Sequence, residues 1–163
     1  MVMQTPLTFR SLSVLENTLL GAMFGPGGAV REREARERAT EALALVGLDA
    51  WANRSVAALN LHQQRFLELA RALAGQPRVL LLDEVMAGLN ETEVAASVQF
   101  VRRVRDELGA TVVWVEHVMS AVIELAERAI VLNFGKVIAD DAPEVVMRDP
   151  EVVDAYLGDA HGA

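Results

Sequence analysis

The stretch Arg78-Val79-Leu80-Leu81-Leu82-Asp83-Glu84 decides how the rest of the chain is read. Its apolar run is too short for a helix and follows the strong break Gly75-Gln76-Pro77. A run bounded in this way predicts a strand over 79–82, buried on both faces as in a parallel sheet. Two carboxylates stand where that strand runs out, and in open α/β sheets ligands gather beyond the carboxyl ends of the strands. Side chains alternate along a strand, so Asp83 and Glu84 point differently and can take different tasks. The chemistry this suits is phosphoryl transfer: one acid holds Mg²⁺ through its waters, and the next orients or deprotonates the attacking water. Taken alone, such a run is more often a solvated strand end. Its neighbours along the chain favour the chemical reading.

Downstream, Ala87-Gly88-Leu89 forms a turn, and Asn90 with Glu93 makes a helix cap. The helix runs to about Leu108 and stops at Gly109, and Thr111 to Val115 is a β-branched strand. Strand, helix and strand make a βαβ unit, whose crossover is almost always right-handed. Upstream, Asn60 with Gln63 at N3 opens a helix carrying Phe66, Leu67, Ala70, Leu73 and Ala74, closed by Gly75. Further back, Ser13-Val14-Leu15-Glu16 is a capping box for a short helix from Val14 to about Met23. Gly25-Pro26-Gly27-Gly28 breaks that helix. A second helix is predicted over about Val30 to Val46, with Ala35, Ala39, Ala42, Leu43 and Val46 inward and charged residues outward. Glu32 with Arg36 and Glu34 with Arg38 are i,i+4 pairs in the favourable order, and Gly47 is placed to end the helix. Residues 48–58 read as a loop with a helical turn. Residues 1–12 show little periodicity, an uncapped and turn-prone start that is odd for a domain.

Beyond the second strand, Met119, Val122, Ile123 and Ala126 predict an amphipathic helix. Ile130-Val131-Leu132 and Val137-Ile138-Ala139 flank Asn133-Phe134-Gly135-Lys136 as a hairpin. Pro143 and Pro150 each open a short helix, and the last turn carries Tyr156 and Leu157. The fold class is α/β, with a helical insertion ahead of a parallel-sheet half.

The chain's 163 residues suffice for one ordinary domain core, and 52% hydrophobic with 23% charged residues marks a globular protein. A formal net charge of −8 argues against nucleic acid as a partner, because phosphate backbones need a basic footprint. With no cysteine there is neither a disulfide framework nor a thiolate metal site, which fits a cytosolic compartment. No apolar run approaches the ~20 residues of a membrane span, and Met1-Val2-Met3-Gln4 lacks the features of a signal peptide. Any membrane link is therefore expected to run through a partner.

In chain order, Gln4, Leu59-Asn60-Leu61-His62-Gln63-Gln64-Arg65, Asp83-Glu84, Ala87-Gly88-Leu89-Asn90 and Glu116-His117 form one series. This series resembles the ATP-binding subunit of ABC transporters, in the branch that takes up branched-chain amino acids, urea or amides. Leu12-Ser13-Val14-Leu15-Glu16-Asn17 and the tail Asp149-Pro150-Glu151-Val152-Val153-Asp154-Ala155-Tyr156-Leu157-Gly158 add to the likeness, which covers essentially the whole chain. The resemblance implies a partial P-loop NTPase fold: half of a parallel βαβ core, an α-helical subdomain, and a C-terminal β-hairpin with helices. It implies that Gln4 matches the Q-loop glutamine at the Mg²⁺ site, Asp83 the Walker B acid and Glu84 the catalytic base. Ala87 to Asn90 match the D-loop, and His117 matches the switch histidine that contacts the γ-phosphate. Asn60, Leu61, His62 and Gln63 stand at the signature motif. Residues 1–76 would then hold the Q-loop, helical subdomain and signature helix, and 77–163 the Walker B, D-loop and H-loop part with the C-terminal tail.

The family's phosphate loop, a Gly-rich turn ending Gly-Lys-Ser/Thr, is not found in these residues, and Gly25-Pro26-Gly27-Gly28 is no substitute. That loop supplies the amides and lysine that hold the β- and γ-phosphates, so this chain alone is expected to bind ATP and Mg²⁺ weakly and to be inactive. His62 replaces a signature glycine and is expected to crowd the phosphate, although Asn60 can still cap the helix. Val85 and Glu91 replace prolines, and Val118 replaces an acid. The implied partners are a second ATP-binding subunit, packed head to tail, and transmembrane permease subunits, with no nucleic acid. The implied location is the cytoplasmic face of the plasma membrane. Two other readings stay open: an inactive module that docks on a permease or an intact ATPase subunit, and a gene fragment or mis-set start.

Overall fold

A computed structural model describes residues 1–25 and 30–158, with side chains up to Ala155 in the last helix. Pro26, Gly27 and Gly28 of the expected break, and the side chains of Tyr156 and Leu157, lie outside the described residues. The chain divides into two compact units, Met1–Glu116 and His117–Ala163.

The first unit opens with three helices packed on one another: α1 (Val14–Phe24), α2 (Glu32–Leu45) and α3 (Leu61–Ala74). Two 3₁₀ turns, Asp49–Trp51 and Val56–Ala58, fill the loop before α3. The expected caps form. Ser13 and Glu16 close a reciprocal box on α1, and Asn60 and Gln63 do the same on α3, each satisfying amides that a helix start leaves without partners. Ala35, Ala39, Ala42 and Leu43 of α2 are buried, as the periodicity predicts. On the outer face Arg38 pairs with Glu34 at 2.6 Å. Small residues set the spacing: a Cβ at Gly21 of α1 would overlap the carbonyl oxygen of Arg71 on α3.

The βαβ unit follows as β1 (Val79–Asp83), α4 (Glu91–Leu108) and β2 (Thr111–Val115). The strands pair in parallel with Val79 opposite Thr111 and Asp83 opposite Val115. Val98, Phe100, Val101 and Val104 of α4 are buried. The expectation that β1 is buried on both faces is corrected: Leu80 and Leu82 are 2% and 1% exposed, but Val79 and Leu81 are 52% and 40% exposed. Val113 and Val115, opposite Leu81 and Asp83, are exposed too. Apolar content shows how strongly a strand favours burial, while alternation under a single covered face decides which side chains achieve it.

The opening residues form bends and turns, as their lack of periodicity predicts, with one bridged position. Val2 is buried and forms a parallel bridge with Leu82, donating its N–H to the Leu81 carbonyl at 2.8 Å and accepting from the Asp83 N–H at 3.0 Å. The turn-prone start thus adds a line of backbone beside β1.

The second unit holds α5 (Met119–Leu125), a hairpin of β3 (Ala129–Asn133) and β4 (Lys136–Asp141), α6 (Pro143–Val146) and α7 (Pro150–Gly158). Phe134 and Gly135 both take positive φ, 46° and 77°, at the two-residue turn, the conformation that matches strand twist in a tight hairpin. Arg128 grips Asp140 with two hydrogen bonds of 2.7 and 2.6 Å. The helix predicted from Met119 forms, but its buried residues are Ala121 and Leu125, and Ile123 is exposed. Seven residues span about two turns, too short for the stripe of Met119, Val122, Ile123 and Ala126 to fix a face. No described helix is long and apolar enough to cross a membrane.

Candidate functional site

The site is built at the carboxyl end of β1. Asp83 closes the strand, and Glu84 leaves it with φ of 46° while its N–H still donates to the Val115 carbonyl at 2.9 Å. A non-glycine residue in this left-handed region costs about 1–3 kcal/mol and persists where its surroundings fix it. The turn that follows supplies that fixing. Ala87 N–H donates to the Glu84 carbonyl at 3.1 Å, and Leu89 N–H donates to Met86 at 3.2 Å. Val85 and Met86 are tucked into the core beneath. Two side chains from other elements hold the turn from outside. Glu116 Oε1, at the end of β2, accepts from the Met86 N–H at 2.9 Å, and Arg65 Nη1, from α3, donates to the Ala87 carbonyl at 2.6 Å.

Gln4 meets this end of the strand. Its Nε2 donates to Glu84 Oε2 at 2.7 Å, although 80 residues separate the two in sequence. The parallel bridge of Val2 with Leu82 brings the opening residues alongside β1, and the Gln4 side chain reaches Glu84 just past the end of that strand. Asp83 and Glu84 thus end β1 with Gln4 as a neutral donor to Glu84, and among the described residues no three acids or histidines gather closely enough to hold a metal by themselves.

At the start of α3 the polar groups are turned onto the helix itself. Asn60 Oδ1 accepts from the Gln63 N–H at 2.8 Å, and Gln63 Oε1 accepts from the Asn60 N–H at 3.0 Å. Leu61 is exposed. His62 packs its ring on Phe66 at 4.5 Å between centroids, Phe66 packs on Phe100 of α4 at 5.6 Å, and His62 Nδ1 is buried without a partner among the described residues. Asn90 caps α4, its Oδ1 accepting from the Glu93 N–H at 3.0 Å. His117 is exposed and opens the second unit, directly after Glu116.

The ABC transporter family matches residues 1–87, more than half of the chain. The chain belongs to the ABC transporter family. Its C-terminal residues 136–162 match the branched-chain amino acid ATP-binding cassette transporter family. A curated relative is the high-affinity branched-chain amino acid transport ATP-binding protein BraF of Pseudomonas aeruginosa. It is 40% identical over 144 residues, which are 88% of this chain and 56% of BraF. The chain therefore spans a little over half of that relative. Among solved structures, the ADP conformation of the ATP-binding cassette MJ1267 superposes with a TM-score of 0.81 at 26% identity, over 96% of this chain and 67% of that one. The cassette MJ0796, in a dimeric post-hydrolysis state bound to ADP and Pi, gives 0.76 at 31% identity over 87% of this chain and 61% of that one. The mixed α/β architecture expected from the sequence is thus the P-loop NTPase fold of ABC ATPases, represented in part.

Arg65 and Glu116 stand in the series read from the sequence without a role of their own, and Glu68 was not singled out. Arg65, Glu68 and Glu116 are charged, yet Arg65 and Glu68 are buried. Both lie on the packed side of α3 among Leu67, Leu69 and Ala70, and a charge placed inside an apolar stripe was the available signal, since such groups are buried only when paired. For Glu116 the signal was weaker, an acid closing a β-branched strand.

Proposed function

We propose that this chain is part of an ATP-binding, ATP-hydrolysing subunit of an importer for branched-chain amino acids or related solutes. The observation that carries the reading is the Gln4 amide on the Glu84 carboxylate at the end of β1, in a chain of the ABC transporter family. Asp83 is assigned to the metal and Glu84 to the attacking water, with Gln4 holding Glu84 in place. The Gln4 carbonyl oxygen is the half of the amide not committed to Glu84, and with Asp83 it would face hydrated Mg²⁺. The donor set suits that ion, which binds through one or two carboxylates, waters and substrate phosphates rather than a full protein cage. When bound, Mg²⁺ supplies charge to neutralise the phosphates of ATP. Glu84 would accept the proton of the attacking water, a role worth about 10²–10⁴-fold in rate.

The proposed division puts the Q-loop, helical subdomain and signature helix in 1–76, and the Walker B, D-loop and H-loop parts with the tail in 77–163. Asn60, Leu61, His62, Gln63 and Asn90 would face the nucleotide of a second ATP-binding subunit, and His117 the γ-phosphate. Permease subunits would hold the assembly at the cytoplasmic face of the membrane. One observation favours a second reading, a docking module without turnover. The Asn60 and Gln63 side chains are spent on the cap, and the His62 imidazole occupies a position where the family carries glycine.

The experiment is phosphate release from Mg·ATP by the purified chain, alone and with an intact ATPase subunit and permease. The catalytic reading expects no release from the chain alone, and in the assembly release beyond that of the intact subunit and permease without this chain, an excess that falls at least about a hundredfold in Glu84→Gln. Equal rates for wild type and Glu84→Gln in the assembly would discard it for the docking module.

A further inference from the structure

Where the last turns of α1 and α3 come together beside the amino end of β1, they leave a cavity of about 300 Å³, close to the lower end of the size range of small-molecule sites. The two helices touch here with no side chain between them. A Cβ on Gly21 would overlap the Arg71 carbonyl oxygen, and one on Gly25 would fall 2.7 Å from the Gly75 Cα. Side chains begin only around that contact, and Met1, Leu20, Phe24, Pro77 and Val79 wall the space. Phe24 and Met1 are largely exposed while Leu80, also on the lining, is buried, so the cavity runs inward from an apolar mouth.

Two charged side chains of α3 interrupt this lining, Glu68 and Arg71. They pair with each other, Arg71 Nη2 donating to Glu68 Oε1 at 2.8 Å, but neither is exhausted by that bond. Arg71 Nη1 donates to the Leu7 carbonyl, and a guanidinium carries five N–H groups, so donors remain. Glu68 Oε1 also accepts from the Leu7 N–H, while Oε2 is buried with no partner among the described residues. A buried acceptor left without a donor is costly, and a ligand that supplies one recovers that free energy. A ligand of single charge would leave an unbalanced ion against apolar walls, which is costlier still. An ammonium and a carboxylate on neighbouring atoms instead meet the Glu68–Arg71 pair with alternating signs and no net charge. The rest of the lining offers no side-chain donor or acceptor, so the rest of the ligand is hydrocarbon. We propose that this cavity binds a zwitterionic α-amino acid with an aliphatic side chain, its carboxylate on Arg71, its ammonium on Glu68 Oε2 and its side chain among Leu20, Phe24 and Val79. This ligand class coincides with the cargo of the proposed importer, but the site rests on the cavity and not on ATP turnover.

The test uses the full chain labelled with ¹⁵N, without nucleotide, and L-leucine as the probe. The amides of Gly21, Ala72 and Leu80 shift and saturate below about 10 mM ligand, while Ala39 and Leu43 of α2 stay in place. Isocaproate lacks the ammonium, leucinamide lacks the carboxylate, and glycine lacks the hydrocarbon. Each binds at least about tenfold more weakly, as expected when a bond to a charged group or the burial of an aliphatic side chain is lost. Glu68→Gln, whose carbonyl still accepts from Leu7, weakens L-leucine binding about tenfold and leaves isocaproate binding unchanged. Phe24→Ala, at a side chain 78% exposed, also weakens L-leucine binding in a chain whose fold is not at stake. Shifts that fail to saturate, or that match for L-leucine, leucinamide and isocaproate, overturn the proposal, as does full L-leucine affinity in Glu68→Gln. Should Glu68→Gln fail to fold, full affinity in Phe24→Ala overturns it instead. Phosphate release from Mg·ATP is read in separate samples, so failure of the ATPase reading leaves these shifts as they are.

Discussion

Replacing Glu116 by alanine removes the acceptor of the Met86 N–H, a bond of 2.9 Å to the centre of the turn that follows Glu84. Met86 is 1% exposed, so its amide has little access to water with which to replace the carboxylate. Leaving a buried donor unsatisfied costs about 1–3 kcal/mol, with bonds to charged groups toward the upper end. With a urea m-value of about 1–3 kcal/mol/M for a chain of this size, a loss of about 2 kcal/mol lowers the unfolding midpoint by about 1 M. Glu116→Gln keeps an acceptor in the same place and should stay within about 0.5 kcal/mol of wild type, the range of uncomplicated substitutions. The assay pairs urea denaturation with exchange of the Met86 amide, which loses protection in the alanine variant and retains it in the glutamine variant. An alanine variant as stable as wild type, with Met86 still protected, would refute the reasoning. The turn would then owe its shape to Arg65 and the buried Val85 and Met86 alone.

Other outcomes follow from single contacts. Gly21→Ala drives a methyl into the Arg71 carbonyl and should cost about 1–3 kcal/mol in thermal or urea unfolding; a neutral effect would show that α1 and α3 separate freely. Asn60→Ala removes the α3 cap and should cost about 0.5–2 kcal/mol, whereas Asn60→Ser should recover most of it by circular dichroism melts. In the hairpin, the Arg128 hydrogen bonds hold the Asp140 carboxyl below its ordinary range. Because the folded value is depressed, the stabilisation is present above the unfolded value and is lost as pH falls through the folded one. The Arg128 Nε–H signal should move with that acid step in wild type and not in Asp140→Asn.

The helices were legible because their signals are local. Ser13 with Glu16, Asn60 with Gln63 and Asn90 with Glu93 each declare a start within four residues, and each forms the reciprocal box. The strand that ends at Asp83 was legible because a short apolar run after a proline break has few readings other than a strand. The contact between Gln4 and Glu84 was not derivable from pattern, since it depends on Val2 joining β1 from 80 positions away, and one bridged residue has no periodicity. The inward face of α5 was misjudged because two turns carry too few apolar positions to outweigh what packing on α6 requires. The sequence assigns no role to Glu68 or Arg65, because it shows a residue's polarity but not the distant backbone group that will satisfy it.

The uncovered rows of β1 and β2 bear on how the chain behaves in solution. Val79, Leu81, Val113 and Val115 present branched methyl groups to water, while a net charge of −8 keeps molecules apart. At low ionic strength repulsion prevails. Sulfate screens that charge and strengthens the attraction between oily surfaces at once, so precipitation should begin at lower sulfate than the charge alone would suggest, and warming within the folded range should hasten it.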